Sequence, residues 1–239
     1  MAARTPNSIA SKSKIRIISA MNITGQKLKE IYALLFERFG CQHWWPGETK
    51  DEIIAGAILT QNTNWQNVEK ALNNLKNAGL MTIEKLHGLD HDTLAGLIRP
   101  AGYYNIKAKR LKNFLNWFFE QRGGSTEGLE KLSTAVFREE LLSINGIGRE
   151  TADSILLYAF ERPVFVVDAY TYRIAVRHQL IEPECDYEQL KSLFEDNLET
   201  DVKLFNEFHA LIVRAGKEFC RPQAKCEKCP LENLPHRIE

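Results

Sequence analysis

Long apolar runs are missing from this 239-residue chain: none approaches the roughly 20 residues that a bilayer-spanning helix needs. A membrane-spanning protein is therefore excluded from the expectations. Alternating strand patterns are nearly absent too, which argues against sheets and sandwiches. An excess of one charge is lacking, with 31 basic and 31 acidic residues, so global charge gives no case for a nucleic-acid partner. Cysteine is scarce and odd in number: Cys41, Cys185, Cys220, Cys226 and Cys229. Without a secretory signal, that count speaks against a disulfide framework. The first 20 residues contain no acid and no long apolar core, only Arg4, Lys12, Lys14 and Arg16 among small residues. We read 1–21 as a disordered basic leader rather than an export signal.

What is present is helical periodicity at 44 % hydrophobic and 26 % charged residues, an ordinary globular balance. GQKLKEIYALLFERFG (25–40) puts Leu28, Ile31, Leu34, Leu35 and Phe39 on one stripe. Thr49 and Glu52 form a capping-box pattern ahead of DEIIAGAILT. A helix follows over about 66–78, then HDTLAGLI capped by Asp90, then KAKRLKNFLNWFFEQR closed by Gly123-Gly124. Further helices are expected near 133–143, 149–160, 169–179, 186–198 and 202–216. The class is all-α, and 239 residues suffice for two lobes. Charge is patchy: residues 99–122 are basic and 182–201 acidic. Taken alone, such runs read as solvated helix faces, although a local basic face can hold phosphate within a screening length of about 8–10 Å.

The most informative stretch is LLSINGIGRETADSILLYAF, 141–160, a helix, a tight turn and a second helix. Glycines at 146 and 148 free the backbone to approach another surface. The amides opening the second helix favour an anion such as a DNA phosphate, bound without reading sequence. A plain α-α turn is the alternative. Next comes VFVVDAYTYRI, an apolar run ending at Asp168. Together these resemble the helix-hairpin-helix (HhH-GPD) superfamily of DNA base-excision glycosylases, the endonuclease III class. The resemblance implies a two-lobed helical fold with a DNA-facing cleft, one lobe over 46–160 and the other combining 22–45 with 161–217. It also implies that Asp168 is catalytic, opposing positive charge on the deoxyribose and activating water. A helix N-cap is the plainer role for Asp168, and one carboxylate can serve both. Relatives that cleave the strand place a lysine where this chain has Glu150. A glutamate offers no amine for a Schiff base, so the resemblance points to the monofunctional branch.

CQHWWPGETKDEIIAGAILTQNTNWQNV extends the likeness to the third class of bacterial 3-methyladenine DNA glycosylase. The similarity continues through IRPAGYYNIKAKRL and covers roughly residues 40–175. It implies a base pocket of Trp44, Trp45, Pro46 and Trp65, against core packing as the alternative. Indole faces suit a positively charged alkylpurine by stacking and cation–π attraction. Gln61 would enter the duplex where the base has left, unless it merely caps a helix. Arg149, Lys107, Lys109 and Arg110 are candidate DNA contacts.

The tail CRPQAKCEKCPLENLPHRIE spaces three cysteines as C-x5-C-x2-C. Endonuclease III relatives often hold a [4Fe–4S] cluster there with four. Here the fourth slot is Pro235, leaving Cys220, Cys226 and Cys229 one ligand short. His236, Cys41 or Cys185 could complete the set; zinc or no metal are the other readings. The expectation is a cytoplasmic, nucleoid-associated, monomeric DNA N-glycosylase that excises alkylated purines from damaged double-stranded DNA. The rivals are an endonuclease III-type glycosylase/lyase and a non-catalytic damage binder.

Overall fold

The computed structural model describes residues 9–44 and 47–238, with side chains from residue 23 onward. Every regular element among the described residues is helical. In chain order they are α1 (Ile9–Phe39), α2 (Lys50–Leu59), α3 (Trp65–Asn77), α4 (Ile83–Gly88), α5 (His91–Leu97), α6 (Tyr104–Asn116), α7 (Thr126–Glu130), α8 (Thr134–Ser143), α9 (Arg149–Ser154), α10 (Ala169–Arg177), α11 (Tyr187–Glu195) and α12 (Val202–Glu218). Among the described residues no helix is long and apolar enough to cross a membrane.

The first helix starts at Ile9, so it takes in residues 9–21, which the sequence reading left without structure. Neither proline nor glycine occurs between residues 7 and 24 to interrupt it. The remainder of that leader, residues 1–8, lies outside the described residues. The apolar run before Asp168 is irregular and joins no sheet. Two helices loosen into π-helical turns at their ends, α6 at Trp117–Gln121 and α9 at Ile155–Ala159.

The chain forms two compact units: Met1–Gln42 with Val167–Glu239, and His43–Val166. The second is built on one apolar cluster from Ile54 to Val164, to which α2, α3, α6, α8 and α9 contribute. Side-chain caps set its helix starts: Thr49 on α2, Asn64 on α3, Asp90 on α5 and Ser133 on α8. Thr49 accepts from Glu52 N as the capping pattern predicts. Glu52, however, reaches back to Glu48 N and pairs with Lys76 at 2.6 Å instead of closing a box on residue 49. In the first unit, α12 packs on α10 and α1. Tyr32 and Phe194 meet Phe208 edge-on at 5.3 and 5.6 Å, giving this unit an aromatic centre.

Candidate active site

In the unit His43–Val166, α8 and α9 are joined by a hairpin whose tip is fixed from inside. Ile144 and Ile147 are buried, and Ile147 N donates to Ile144 O at 3.0 Å. Gly146 has φ +97°, and a Cβ there would overlap the stem of Arg110. Glycine is thus required twice at this position, for its dihedral and for its bareness. Arg110 Nη1 donates to Gln61 Oε1, while Gln61 Nε2 donates to Gly146 O (3.0 Å) and Thr151 Oγ1 (2.9 Å). Gln61, Arg110 and Gly146, read from the sequence as separate DNA contacts, form one hydrogen-bonded network. Behind the hairpin, Arg138 on α8 grips Asp153 on α9 with Nε at 2.7 Å and Nη2 at 3.1 Å, and Asp153 is fully buried. Gly148, Arg149, Glu150 and Lys109 are exposed. The first amides of α9 are the ones that no intrahelical carbonyl can satisfy.

Lys107 is a correction. It is 1 % exposed, and its Nζ donates to Leu59 O (2.8 Å) and Ala101 O (2.7 Å). Burial and the neighbouring Arg110 lower its pKa to about 8. The amine is a strut between the end of α2 and the turn before α6, and it offers nothing to a phosphate. It was grouped with Lys109 and Arg110 as a DNA contact, but the side chain folds inward to meet two helix-terminal carbonyls.

Of the aromatic residues, Trp44 is half-buried in a loop entered through His43 at φ +48°. Trp65 opens α3 and leans on the core of its unit, partly buried. Trp45 and Pro46 lie outside the described residues.

Asp168 belongs to the other unit, at the N-cap of α10. Its Oδ1 accepts from Tyr170 N (2.9 Å), Thr171 N (2.8 Å) and Thr171 Oγ1 (2.9 Å). Oδ2 faces His209 Nε2 of α12 at 3.7 Å, with the two side chains 12 % and 7 % exposed. Burial pushes this carboxyl up, but His209 and the Thr171 donors outweigh it, so its pKa lies below the usual 3.8. The group is held as a carboxylate in a nearly dry setting. Gly216 brings α12 close, because a Cβ there would collide with the Tyr170 ring. The sequence reading missed His209. Its signal was available: in FNEFHALIVRAG it is the polar member of an otherwise apolar helix face.

The cysteine tail folds onto the same unit. Cys220, Cys226, Cys229, His178 and His236 line one cavity that opens to solvent. Arg177 Nη1 lies 3.2 Å from Cys220 Sγ and donates to Arg221 O at 2.7 Å. Burial and the nearby Cys226 and Cys220 push the Cys229 thiol up, against a backbone hydrogen bond from Leu231. Pro235 contributes only its carbonyl, which lies 3.2 Å from His178 Nδ1. Cys41 instead donates to Glu207 at 3.3 Å, and neither it nor Cys185 lines the cavity. Among the described residues no three thiol, imidazole or carboxylate side chains converge on a single-ion site.

Residues 55–200 match the model of the HhH-GPD superfamily of base excision DNA repair proteins. A Methanocaldococcus jannaschii protein, provisionally named a DNA repair glycosylase, is 50 % identical over 87 % of this chain and 96 % of its own. Endonuclease III of Thermotoga maritima is 30 % identical over 76 % of this chain and 80 % of its own. Among solved structures, the H. pylori 3-methyladenine DNA glycosylase bound to 1,N6-ethenoadenine matches at TM-score 0.69 and 34 % identity. That match covers 82 % of this chain and 97 % of that one. An endonuclease III–DNA complex matches in fold at TM-score 0.75 and 19 % identity, covering 88 % and 94 %.

Proposed function

This chain belongs to the HhH-GPD superfamily of base excision DNA repair proteins, and from that premise we propose that it is a monofunctional DNA N-glycosylase that excises alkylated purines. The observation that carries the proposal is a buried carboxylate, Asp168, held ionised with one oxygen outside the helix cap, in a chain whose position 150 bears no amine. Lys107, whose lowered pKa could suggest a nucleophile, is enclosed by two carbonyls and cannot replace that amine.

The reaction follows from these groups. The hairpin amides and the exposed Arg149 and Lys109 hold the DNA backbone without sequence preference. The damaged nucleotide leaves the stack at a cost of a few kcal/mol. Indole faces of Trp44, Trp45 and Trp65, with Pro46, receive the base, and stacking returns roughly 1–3 kcal/mol per base. A purine nucleotide methylated at N3 is cationic, which strengthens that contact and weakens the glycosidic bond. As the bond from C1′ to the base nitrogen breaks, the electron pair leaves with the base and positive charge grows on the sugar. Asp168 opposes that charge and accepts a proton from the water that adds to C1′. The abasic strand stays intact because no amine bonds C1′. Binding of 1,N6-ethenoadenine by the 34 % identical H. pylori enzyme supports a modified-purine pocket.

The tail is suited to a [4Fe–4S] cluster. Its three thiols border one volume rather than converging on a point, and a zinc ion would require all its ligands within about 2.3 Å. Cys220, Cys226 and Cys229 would hold the group, with His236 at the missing position: its Nδ1 lies 2.8 Å from Leu234 O, which leaves Nε2 to ligate. When bound, such a cluster would supply a structural crosslink and no step of the hydrolysis.

The test is chromatography of bases released from methylated duplex. Wild type should release 3-methyladenine, and Asp168→Asn, which keeps an oxygen for the cap, should not. Strong nicking of abasic duplex with borohydride trapping would instead favour the endonuclease III-type reading, and binding without base release would favour a damage binder.

A further inference from the structure

We propose that His209 is a positioning residue for Asp168, presenting an Nε2–H to the one carboxylate oxygen that the helix cap leaves for chemistry. The inference rests on the assignment of Asp168 as the reacting carboxylate, and its geometry stands on its own. Oδ1 already accepts three donors at 2.8–2.9 Å, all from Tyr170 and Thr171. An oxygen so loaded is fixed in place and has little basicity left for a water or a developing cation. Oδ2 is therefore the working oxygen, and the group opposite it is His209 Nε2, 3.7 Å away. That distance exceeds a full hydrogen bond, so the contact orients and polarises without occupying the oxygen. A carboxylate is acceptor-only, so the contact is favourable when Nε2 carries a proton.

The surrounding packing makes this a built arrangement. Gly216, seven residues along the same helix, lets α12 press against Tyr170 of α10. The arrangement sets His209 at a constant distance from the first turn of α10. Titratable groups on neighbouring elements are engaged elsewhere. On α1 and its end, Tyr32 and Cys41 interact with Glu207, whose Oε1 also accepts from Gln42 N at 2.7 Å. On α10, the Arg173 guanidinium lies over the Tyr170 ring at 5.0 Å and its Nε donates to Cys220 O. His209 is thus the titratable side chain presented to Oδ2 by α12. Its removal would leave burial, the force opposing ionisation, with less to counter it. The proposal accounts for an imidazole buried in an apolar helix face, which packing alone would fill with leucine.

The experiment has two arms. In the first, His209→Leu and His209→Gln are assayed for base release from methylated duplex across pH. Losing a charge-assisted contact should lower kcat by roughly tenfold to a hundredfold with KM for DNA nearly unchanged. The acid limb of the pH profile should move to higher pH. Glutamine keeps an N–H but not the imidazole geometry, so it should lie between leucine and wild type. In the second, the Asp168 carboxyl is titrated by isotope-edited infrared spectroscopy in DNA-free protein, with Asp168→Asn identifying its band. Its midpoint should rise in both variants, more for leucine. If His209→Leu does not fold, glutamine against wild type decides, since the imidazole is lost in either. An unmoved carboxyl midpoint in a folded variant overturns the proposal, whatever happens to kcat. Failure of wild type to release any base would sink the glycosylase reading, while the infrared arm still judges His209.

Discussion

Replacing Lys107 by methionine tests whether the buried amine is a strut, and opposing magnitudes make the outcome depend on pH. Methionine keeps the length but leaves Leu59 O and Ala101 O without a donor, at about 1–3 kcal/mol each. It also removes a charge the fold resists: a shift from 10.5 to about 8 corresponds to about 3.4 kcal/mol of disfavour toward the protonated form. At pH 7 the amine is charged in both states, the penalty is present in full, and the two effects nearly cancel. As pH rises from 8 toward 10.5 the folded protein releases its proton while the unfolded chain keeps one. The slope is then positive, and wild type gains stability from this group, roughly 2.5 kcal/mol between pH 7 and 10. The variant cannot. Urea unfolding of both proteins at pH 7 and pH 10 should therefore show Lys107→Met nearly neutral at the first and clearly destabilised at the second. Because the two proteins share every other titrating group, their difference isolates residue 107. An equal difference at both pH values would refute the buried-strut reasoning, as would loss of DNA affinity without loss of stability.

Three further outcomes are expected. Gly146→Ala forces a positive-φ residue into the Arg110 stem, so it should cost roughly 1–3 kcal/mol in urea unfolding and weaken binding to undamaged duplex. Glu150→Lys restores an amine at the exposed position after the hairpin and should create borohydride-trappable adducts with abasic DNA, seen as a shifted band on denaturing gels. His236→Ala should reduce iron and sulfide content and visible absorption of anaerobically purified protein, while His236→Cys should restore them.

Much of this molecule was legible in the sequence because the responsible forces are local. The hairpin could be read from Gly146 and Gly148, and the caps from Thr49 and Asp90, since each capping residue bonds a backbone amide three positions away. The cap formed by Asp168 was legible for the same reason. What was not legible depends on contacts across long sequence separations. Gln61 and Arg110 were assigned outward roles, yet they meet each other and Gly146 from three distant segments. Lys107 was grouped with its basic neighbours because charge in a sequence carries no direction; only the fold shows that two helix ends lie within reach of its amine. His209 was overlooked because its partner lies 41 positions earlier in the chain; a polar residue on an apolar helix face marks itself but not what it meets.

The paired grip of Arg138 on Asp153 has a consequence for association with a duplex. With those two helices riveted together and Ile147 wedged beneath the tip, the loop would enter the proposed phosphate contact already in its docking shape. Little freedom remains to be surrendered on contact, so backbone engagement can be quick and weakly temperature-dependent. A protein so arranged can touch, release and move along undamaged DNA many times before a lesion slows it.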